Sequence, residues 1–396
     1  MPGRIEFLGK HTDYAGGRSL VCATEQRISV SARPLDEAVL RITDESGGVD
    51  TELPLHADLA LPKGDWTVYP ATVVRRLCRD FGPLYVGLDF SFHSDIPRDA
   101  GLSSSSALVT AVALALADAN DLPDNPAWRA VLPTREALAG YLGAVENGWA
   151  YGRLAADGGV GTQGGSQDHT AILCSRPGML AQYGFDPVRF ERAVPFPPGH
   201  VLVVAVCGVV AAKTREAMVL YNGLAETAQE LLGVWRDRQG SPARTLYAAI
   251  TGRPGAALTL RSWLAGHPRQ QQLEARLDQF VAECEEIIPA VADLLEQGKT
   301  TGLGELIDRS QRGAELGLGN QVPETIHLQR SARRLGATAA SAFGAGFGGS
   351  VWALVRDEDL DRFIQDWSAD YLKAFPAQQG RARFITTRAG EPAGLL

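Results

Sequence analysis

The sequence predicts an α/β or α+β fold built as two domains, and three observations carry that expectation. Apolar, β-branched runs alternate along the chain with segments of helical period. The length of 396 residues suits two domains of about 100–200 residues each. A proline-rich passage from Pro187 to Pro198, PVRFERAVPFPP, interrupts the alternation near the middle and marks the expected boundary, giving units 1–198 and 199–396.

The elements follow in order. RIEFL at 4–8 reads as a strand, with Leu40–Ile42 and Val86–Phe92 as two more. Helical period runs through Trp66–Asp80, Ala107–Asn120 and Arg135–Asn147. TAIL at 170–173 reads as a short strand after a glycine loop. Beyond the boundary, VLVVAV at 201–206 is a strand and Leu273–Gln297 a helix, with 252–268 a connection inside the second domain. Val351–Val355 is the last clear strand. No internal repeat or low-complexity tail is present.

Composition excludes several classes. Hydrophobic residues at 45% and charged residues at 21% supply a substantial core, which rules out global disorder. The balance of 38 basic and 46 acidic side chains, 38 − 46 = −8, lacks the basic stripe of a nucleic-acid binder. No polybasic run and no apolar run near the ~18–20 residues of a membrane span occur. The opening MPGRIEFLGKHTDYAGG has charges where a signal peptide has its apolar core. Cys22, Cys78, Cys174, Cys207 and Cys284 are scattered without CxxC spacing and read as reduced, mostly buried thiols. A cytoplasmic protein without nucleic-acid or membrane partners is expected, as a monomer or weak homodimer.

Three segments carry chemistry. DIPRDAGLSSSSAL at 95–108 turns at Gly101 and places serines where an apolar helix begins. Free N–H groups at a helix start form an anion site, so a polyphosphate is the natural guest; a flexible serine linker is the alternative. GTQGGSQDHTAIL at 161–173 presents Gln167, Asp168 and His169 at a loop mouth, where a carboxylate orients or deprotonates a hydroxyl, or merely makes a turn. FGAGFGG at 343–349 satisfies GxGxxG but is followed by a strand instead of opening a helix, which argues against a Rossmann site. Its glycines permit close approach to a nucleotide loop. GxxxxGK[ST] is absent, which excludes a P-loop NTPase.

PGRIEFLGKHTDYAGG, IPRDAGLSSSSAL and FGAGFGGS together resemble the three ordered motifs of GHMP-type small-molecule kinases, and GKHTDYAGG is similar to the galactokinase signature GEHTDYNGG. DWTVY at 65–69 and GELIDRSQ at 304–311 resemble further family elements, so the likeness spans residues 2 to about 355. The resemblance implies an α+β, two-domain GHMP kinase fold with mixed sheets, helices and an active site in the cleft between domains. It implies a monosaccharide and ATP as substrates, Mg²⁺ as cofactor, and phosphorylation of the anomeric hydroxyl. Galactose is the first expectation; a uronic acid or pentose 1-kinase, or a non-catalytic sugar and ATP sensor, is the alternative.

Residue by residue, the resemblance makes Asp168 the catalytic aspartate and Arg4 its supporting cation. Ser105 and Glu146 match the Mg²⁺ ligands. Gly101, Leu102, Ser103, Ser104, Ser105 and Ser106 match the ATP phosphate loop, with Trp66 near the adenine. His11 and Asp13 match sugar contacts, although His-x-Asp alone could hold a metal; Gly165 and Tyr221 join them. Lys213 and Tyr221 both lie near the family's sugar-facing tyrosine.

Two departures stand out: Lys10 replaces the family's glutamate and Glu6 its asparagine. An ammonium only donates hydrogen bonds, so Lys10 is expected either to meet an acceptor such as a uronate carboxylate, or to pair with Glu6 or face solvent.

Overall fold

β1 (Pro2–Leu8) is buried along its whole length, and β2 (Arg18–Leu35) runs antiparallel beside it for 18 residues. The computed structural model describes residues 1–394 apart from 63, 98–99, 210–214 and 241. β3 (Val39–Asp44), β4 (Val49–Pro54), α1 (Val68–Phe81), β5 (Gly87–Ser94), α2 (Ser104–Ala119), α3 (Pro126–Val131) and α4 (Arg135–Asn147) follow. α5 (Gln167–Cys174) leads to the hairpin of β6 (Met179–Gly184) and β7 (Arg189–Pro195).

These strands make a seven-stranded sheet in the order β4-β3-β5-β2-β6-β7, with β1 paired to β2. β2 is long enough to serve three partners: Arg18–Val21 pairs with β6, Leu20–Arg27 with β1 and Ile28–Leu35 with β5. A second, antiparallel sheet has the order β11-β8-β10-β9, from β8 (His200–Val206), β9 (Ala339–Phe343), β10 (Ser350–Arg356) and β11 (Arg383–Thr387). Mixed sheets with helices match the α+β expectation.

Between β8 and β9 lie α6 (Arg215–Gln239), α7 (Leu246–Thr251), α8 (Ala256–Trp263), α9 (Gln270–Val281), α10 (Ile288–Glu296), α11 (Leu303–Gly313) and α12 (Pro323–Arg334). α13 (Leu360–Ala374) separates β10 from β11. A π-helical turn, Ala282–Ile287, joins α9 to α10. Among the described residues no helix is long and apolar enough to cross a membrane, and all five cysteines are free and buried.

Two expectations are corrected. TAIL is not a strand: Thr170–Leu173 belongs to α5, a helix buried from His169 to Cys174. A short apolar run has no period of its own, so a wholly buried helical turn and a buried strand look alike in sequence. The connection expected at 252–268 contains α8, whose buried Ala256 and Leu260 face the satellite core around Trp235.

α2 is buried on every side from Ser106 to Ala117, which fixes the position of its N-terminus. The two sheets share one core. Phe7 of β1 stacks on Trp352 of β10 with ring centroids 4.3 Å apart, and the Trp352 indole donates to the Glu6 carbonyl at 3.2 Å. Ile288 and Val291 of α10 join the same core. The chain end also returns: Gly390 donates to the Ala23 carbonyl at 2.9 Å and Ala393 to that of Ile172 at 2.7 Å.

Trp352→Ala removes the ring that bridges the sheets. It is expected to cost about 3–5 kcal/mol, read as a lower urea midpoint; an unchanged midpoint would show that the sheets are joined elsewhere.

Candidate active site

A cavity of about 440 Å³ opens where the end of β1, the start of α2, the loop before α5 and the glycine turn before β10 converge. Its wall contains Arg4, His11, Asp13, Trp66, Gly101, Ser103, Ser104, Ser105, Ser106, Glu146, Gly165, Asp168 and Tyr221. The expected site residues are therefore brought together, with two exceptions.

Leu102 is the first. Its side chain is in the core, 1% exposed, and its carbonyl accepts from the Arg4 backbone N–H at 3.0 Å, so it braces the loop from behind. Lys10 is the second. It is buried but does not line the cavity; its ammonium donates to Ser310 Oγ at 2.8 Å, and Ser310 Oγ donates to Glu283 Oε1 at 3.0 Å. Glu283 sits in the π-helical turn and also accepts from the Gly9 N–H at 2.8 Å. Lys10 thus finds its acceptor inside the protein, on Ser310, and is not exposed to solvent. Lys213 lies outside the described residues.

Asp168 stands in the first turn of α5. Its Oδ1 accepts from Arg4 Nε at 2.6 Å and its Oδ2 from Ser103 Oγ at 2.5 Å. Arg4 also donates to the Gly101 carbonyl at 2.5 Å, tying β1 to the serine turn. Burial alone pushes the Asp168 carboxyl upward, but the Arg4 guanidinium and the Ser103 hydroxyl outweigh it and hold the group below its ordinary value. Asp168 is consequently ionised at neutral pH.

Ser103 caps α2 by position only. It adopts a left-handed conformation (φ 60°) and spends its hydroxyl on Asp168, so no side chain caps the helix. The first N–H groups of α2 are left for an anion, beside Ser104 and Ser105 in the cavity wall. Ser106 lines the same wall, but its hydroxyl donates to Glu146 Oε2 at 2.8 Å. His169 Nε2 meets that same oxygen at 2.8 Å, and its Nδ1 contacts Thr110 Oγ1 at 3.2 Å, so His169 has no free nitrogen for use as a base.

The wall opposite comes from the turn after β1. His11, itself left-handed (φ 56°), lies 3.1 Å by Nε2 from the Ala345 carbonyl and 3.0 Å by Nδ1 from the Tyr14 hydroxyl. A carbonyl only accepts, which puts the proton on Nε2 and makes Tyr14 the donor to Nδ1. Burial, and then Arg276, lower the ring to about 3, so it stays neutral. Asp13 Oδ2 accepts from the Gln167 N–H at 3.0 Å. A methyl group on Gly165 would stand 2.3 Å from that oxygen, so only glycine lets the loop lie against Asp13. Tyr221 packs over His11, ring centroids 5.4 Å apart, and Trp66 sits edge-on to Phe92. The glycine turn approaches the serine turn as expected: Gly344 lies beside the Gly101 carbonyl, and Ser350 Oγ donates to the Ala100 carbonyl at 2.6 Å.

Sequence reasoning missed Asn147 and the position of Glu6. Asn147 accepts from Thr162 Oγ1 at 2.6 Å and Gly164 N at 2.8 Å, and donates to the Gly143 and Gly165 carbonyls, so it shapes the glycine loop. Its place at the end of α4 within VENGW was the available signal. Glu6 also lines the cavity; burial, opposed by Arg4 and Lys10, raises its carboxyl to about 8. Between about pH 4.5 and pH 8 the folded chain then binds a proton that the unfolded chain releases, so stability falls as pH rises through that window. Thermal melts at pH 5 and pH 8.5 should show a smaller drop in Glu6→Gln than in the parent chain; equal drops would place the proton elsewhere.

The chain is similar to known proteins over most of its length. Residues 2–34 match the galactokinase galactose-binding signature, 68–136 the GHMP kinases N terminal domain and 290–373 the GHMP kinases C terminal domain. The chain is 28% identical over 376 residues to the galactokinase of Roseiflexus sp. (strain RS-1), covering 94% of this chain and 87% of that one. The galactokinase of Streptomyces coelicolor is 28% identical over 385 residues, covering 94% and 89%. In fold it superposes on Lactococcus lactis galactokinase complexed with galactose, with TM-score 0.78 and 21% identity over 100% of this chain and 94% of that one. A mevalonate kinase gives TM-score 0.61 at 13% identity, covering 98% and 97%. The chain thus matches both GHMP kinase domain models and the galactokinase sugar signature within one galactokinase-like fold.

Proposed function

We propose that the chain transfers the γ-phosphoryl group of ATP to the anomeric hydroxyl of galactose, giving galactose 1-phosphate and ADP. The observation that carries this reading is the placement of an ionised Asp168 and an uncapped, serine-bearing helix N-terminus in one cavity wall, joined by the 2.5 Å hydrogen bond from Ser103 to Asp168. The galactokinase signature over residues 2–34, which contributes Arg4, His11 and Asp13 to that wall, supports the choice of sugar.

Each residue has a task. The N–H groups of α2 and the hydroxyls of Ser104 and Ser105 take the phosphate oxygens, and Trp66 borders the side for the adenine. Asp13, beside the backbone of Gly165, and the ring of Tyr221 shape the sugar side. Asp168 accepts a hydrogen bond from the anomeric hydroxyl and aims its oxygen at the γ-phosphorus. That oxygen forms the new bond to phosphorus as the bond to the β,γ-bridging oxygen breaks, and the hydroxyl proton passes to Asp168. A carboxylate held below its ordinary pKa is a weak base, so the proton moves late, once the new bond has acidified the hydroxyl. Arg4 keeps the carboxylate oriented throughout.

Ser105 and Glu146 would hold Mg²⁺. They fit: both line the cavity with hard oxygen donors, and Glu146 is fixed by Ser106 and His169. When bound, the ion neutralises phosphate charge during transfer. The uronic acid alternative has no support, because Lys10 is withdrawn and the sugar side carries Asp13, Asp168 and Glu6. A cytoplasmic enzyme using cellular ATP is the matching setting.

Asp168→Asn should lower kcat about 10²–10⁴-fold while the ATP dissociation constant stays nearly unchanged; near-normal turnover would remove Asp168 from the mechanism. Glu146→Gln should raise the Mg²⁺ concentration needed for half-maximal rate, measured by ADP release, and an unshifted Mg²⁺ titration would exclude Glu146 as a ligand.

A further inference from the structure

Glu6 is the acid that neither the fold nor the proposed transfer uses. It lies two residues from Arg4 on β1, which puts both side chains on the same face of the strand. Arg4 reaches Asp168; Glu6 continues the same wall into the sugar side of the cavity. The residue is 3% exposed, and its Oε1 is buried with no hydrogen-bond partner among the described residues. A buried polar atom without a partner is costly, and in a cavity wall a ligand can satisfy it.

We infer that Glu6 is a specificity-determining residue of this site, its carboxyl group exchanging hydrogen bonds with a hydroxyl of a neutral sugar. The inference rests on the sugar kinase reading above and assigns a second polar wall to the same cavity.

The surrounding charges decide the form of the group. Arg4 on the same strand, Lys10 after it, Tyr14 in the next turn, Asp168 on α5 and Glu283 in the π-helical turn all face Glu6. Two cations stand among three acids. Arg4 is spent on Asp168 and the Gly101 carbonyl, and Lys10 on Ser310. Asp168 and Glu283 each accept at least two hydrogen bonds, whereas Glu6 accepts none at Oε1. The proton that neutralises the cluster therefore resides on Glu6, in keeping with its rise to about 8. A carboxylic acid has one donor and one free acceptor, the complement of an alcohol. An anionic sugar would bring its carboxylate against Asp13 and Asp168 and is rejected.

The test compares the parent chain with Glu6→Leu and Glu6→Gln, measuring kcat and KM for galactose from pH 6 to 9.5, with ATP affinity and melting temperature as controls. Glu6→Leu should raise KM ~10-fold with kcat changed less than about threefold, and Glu6→Gln should recover most of the loss. In the parent chain KM should rise above about pH 8 as the proton leaves, and that rise should be absent in Glu6→Gln. Across 2-, 3-, 4- and 6-deoxygalactose, one analogue should lose its sensitivity to Glu6→Leu, and that one names the hydroxyl. An unchanged KM in Glu6→Leu overturns the inference, as does the same alkaline rise in Glu6→Gln. Should Glu6→Leu fail to fold, the Glu6→Gln profile alone decides. If the parent chain phosphorylates no hexose, the kinase reading falls first and this inference with it, visible before any variant is made.

Discussion

The ion pair between the buried Arg4 and the half-buried Asp168 is the constraint around which the site is arranged. A guanidinium on an interior strand is tolerable only when it is paired and its remaining N–H groups find acceptors. Arg4 is 5% exposed, and its partners come from α5 and from the turn before α2. Satisfying one cation thus brings three distant parts of the chain to a common point. The pair also sets the electrostatics, because Arg4 and Ser103 hold the Asp168 carboxyl below its ordinary value against the upward push of burial.

The same economy explains two unfavourable backbone conformations. Ser103 and His11 both take left-handed φ values although neither is glycine, and both stand in the cavity wall. Such residues cost of order 1–3 kcal/mol and persist only where their surroundings hold them. Ser103 is held by Asp168, and His11 by Tyr14 and the Ala345 carbonyl. Strain is therefore spent on freeing the N-terminus of α2 and on turning Asp13 toward the glycine loop.

Much of this was legible in the sequence, for reasons that differ by element. The strands at 201–206 and 351–355 and the helices at 107–120 and 135–147 carry long patterns that tertiary packing does not overturn. The serine motif was readable because glycine, serines and an apolar helix occur in an order that a linker does not require. α5 was misread because a helix buried at all its residues except Asp168 leaves no amphipathic signature. The direction of Lys10 was unreadable for another reason: its acceptors, Ser310 and through it Glu283, lie some 270–300 positions away in the chain. Leu102 differs from its neighbours because a motif names a stretch, while the fold turns this one side chain to the core and leaves Gly101 and Ser103–Ser106 in the cavity wall. Asn147 shows the opposite case, a residue whose role exists only once Thr162, Gly164 and Gly165 fold back over it.

The returning chain end has a consequence for how the molecule is made. Residues 389–393 close against Ala23, Ile172 and Gly178, all in the first half of the sequence. During translation that half leaves the ribosome with this seam unsealed, and it stays so until residue 393 has cleared the exit tunnel. Domains of multidomain chains ordinarily finish folding as they emerge. Here α5, the helix that carries Asp168, gains its bond from Ala393 only after most of the second half has been made, so the first half does not acquire all its contacts on its own.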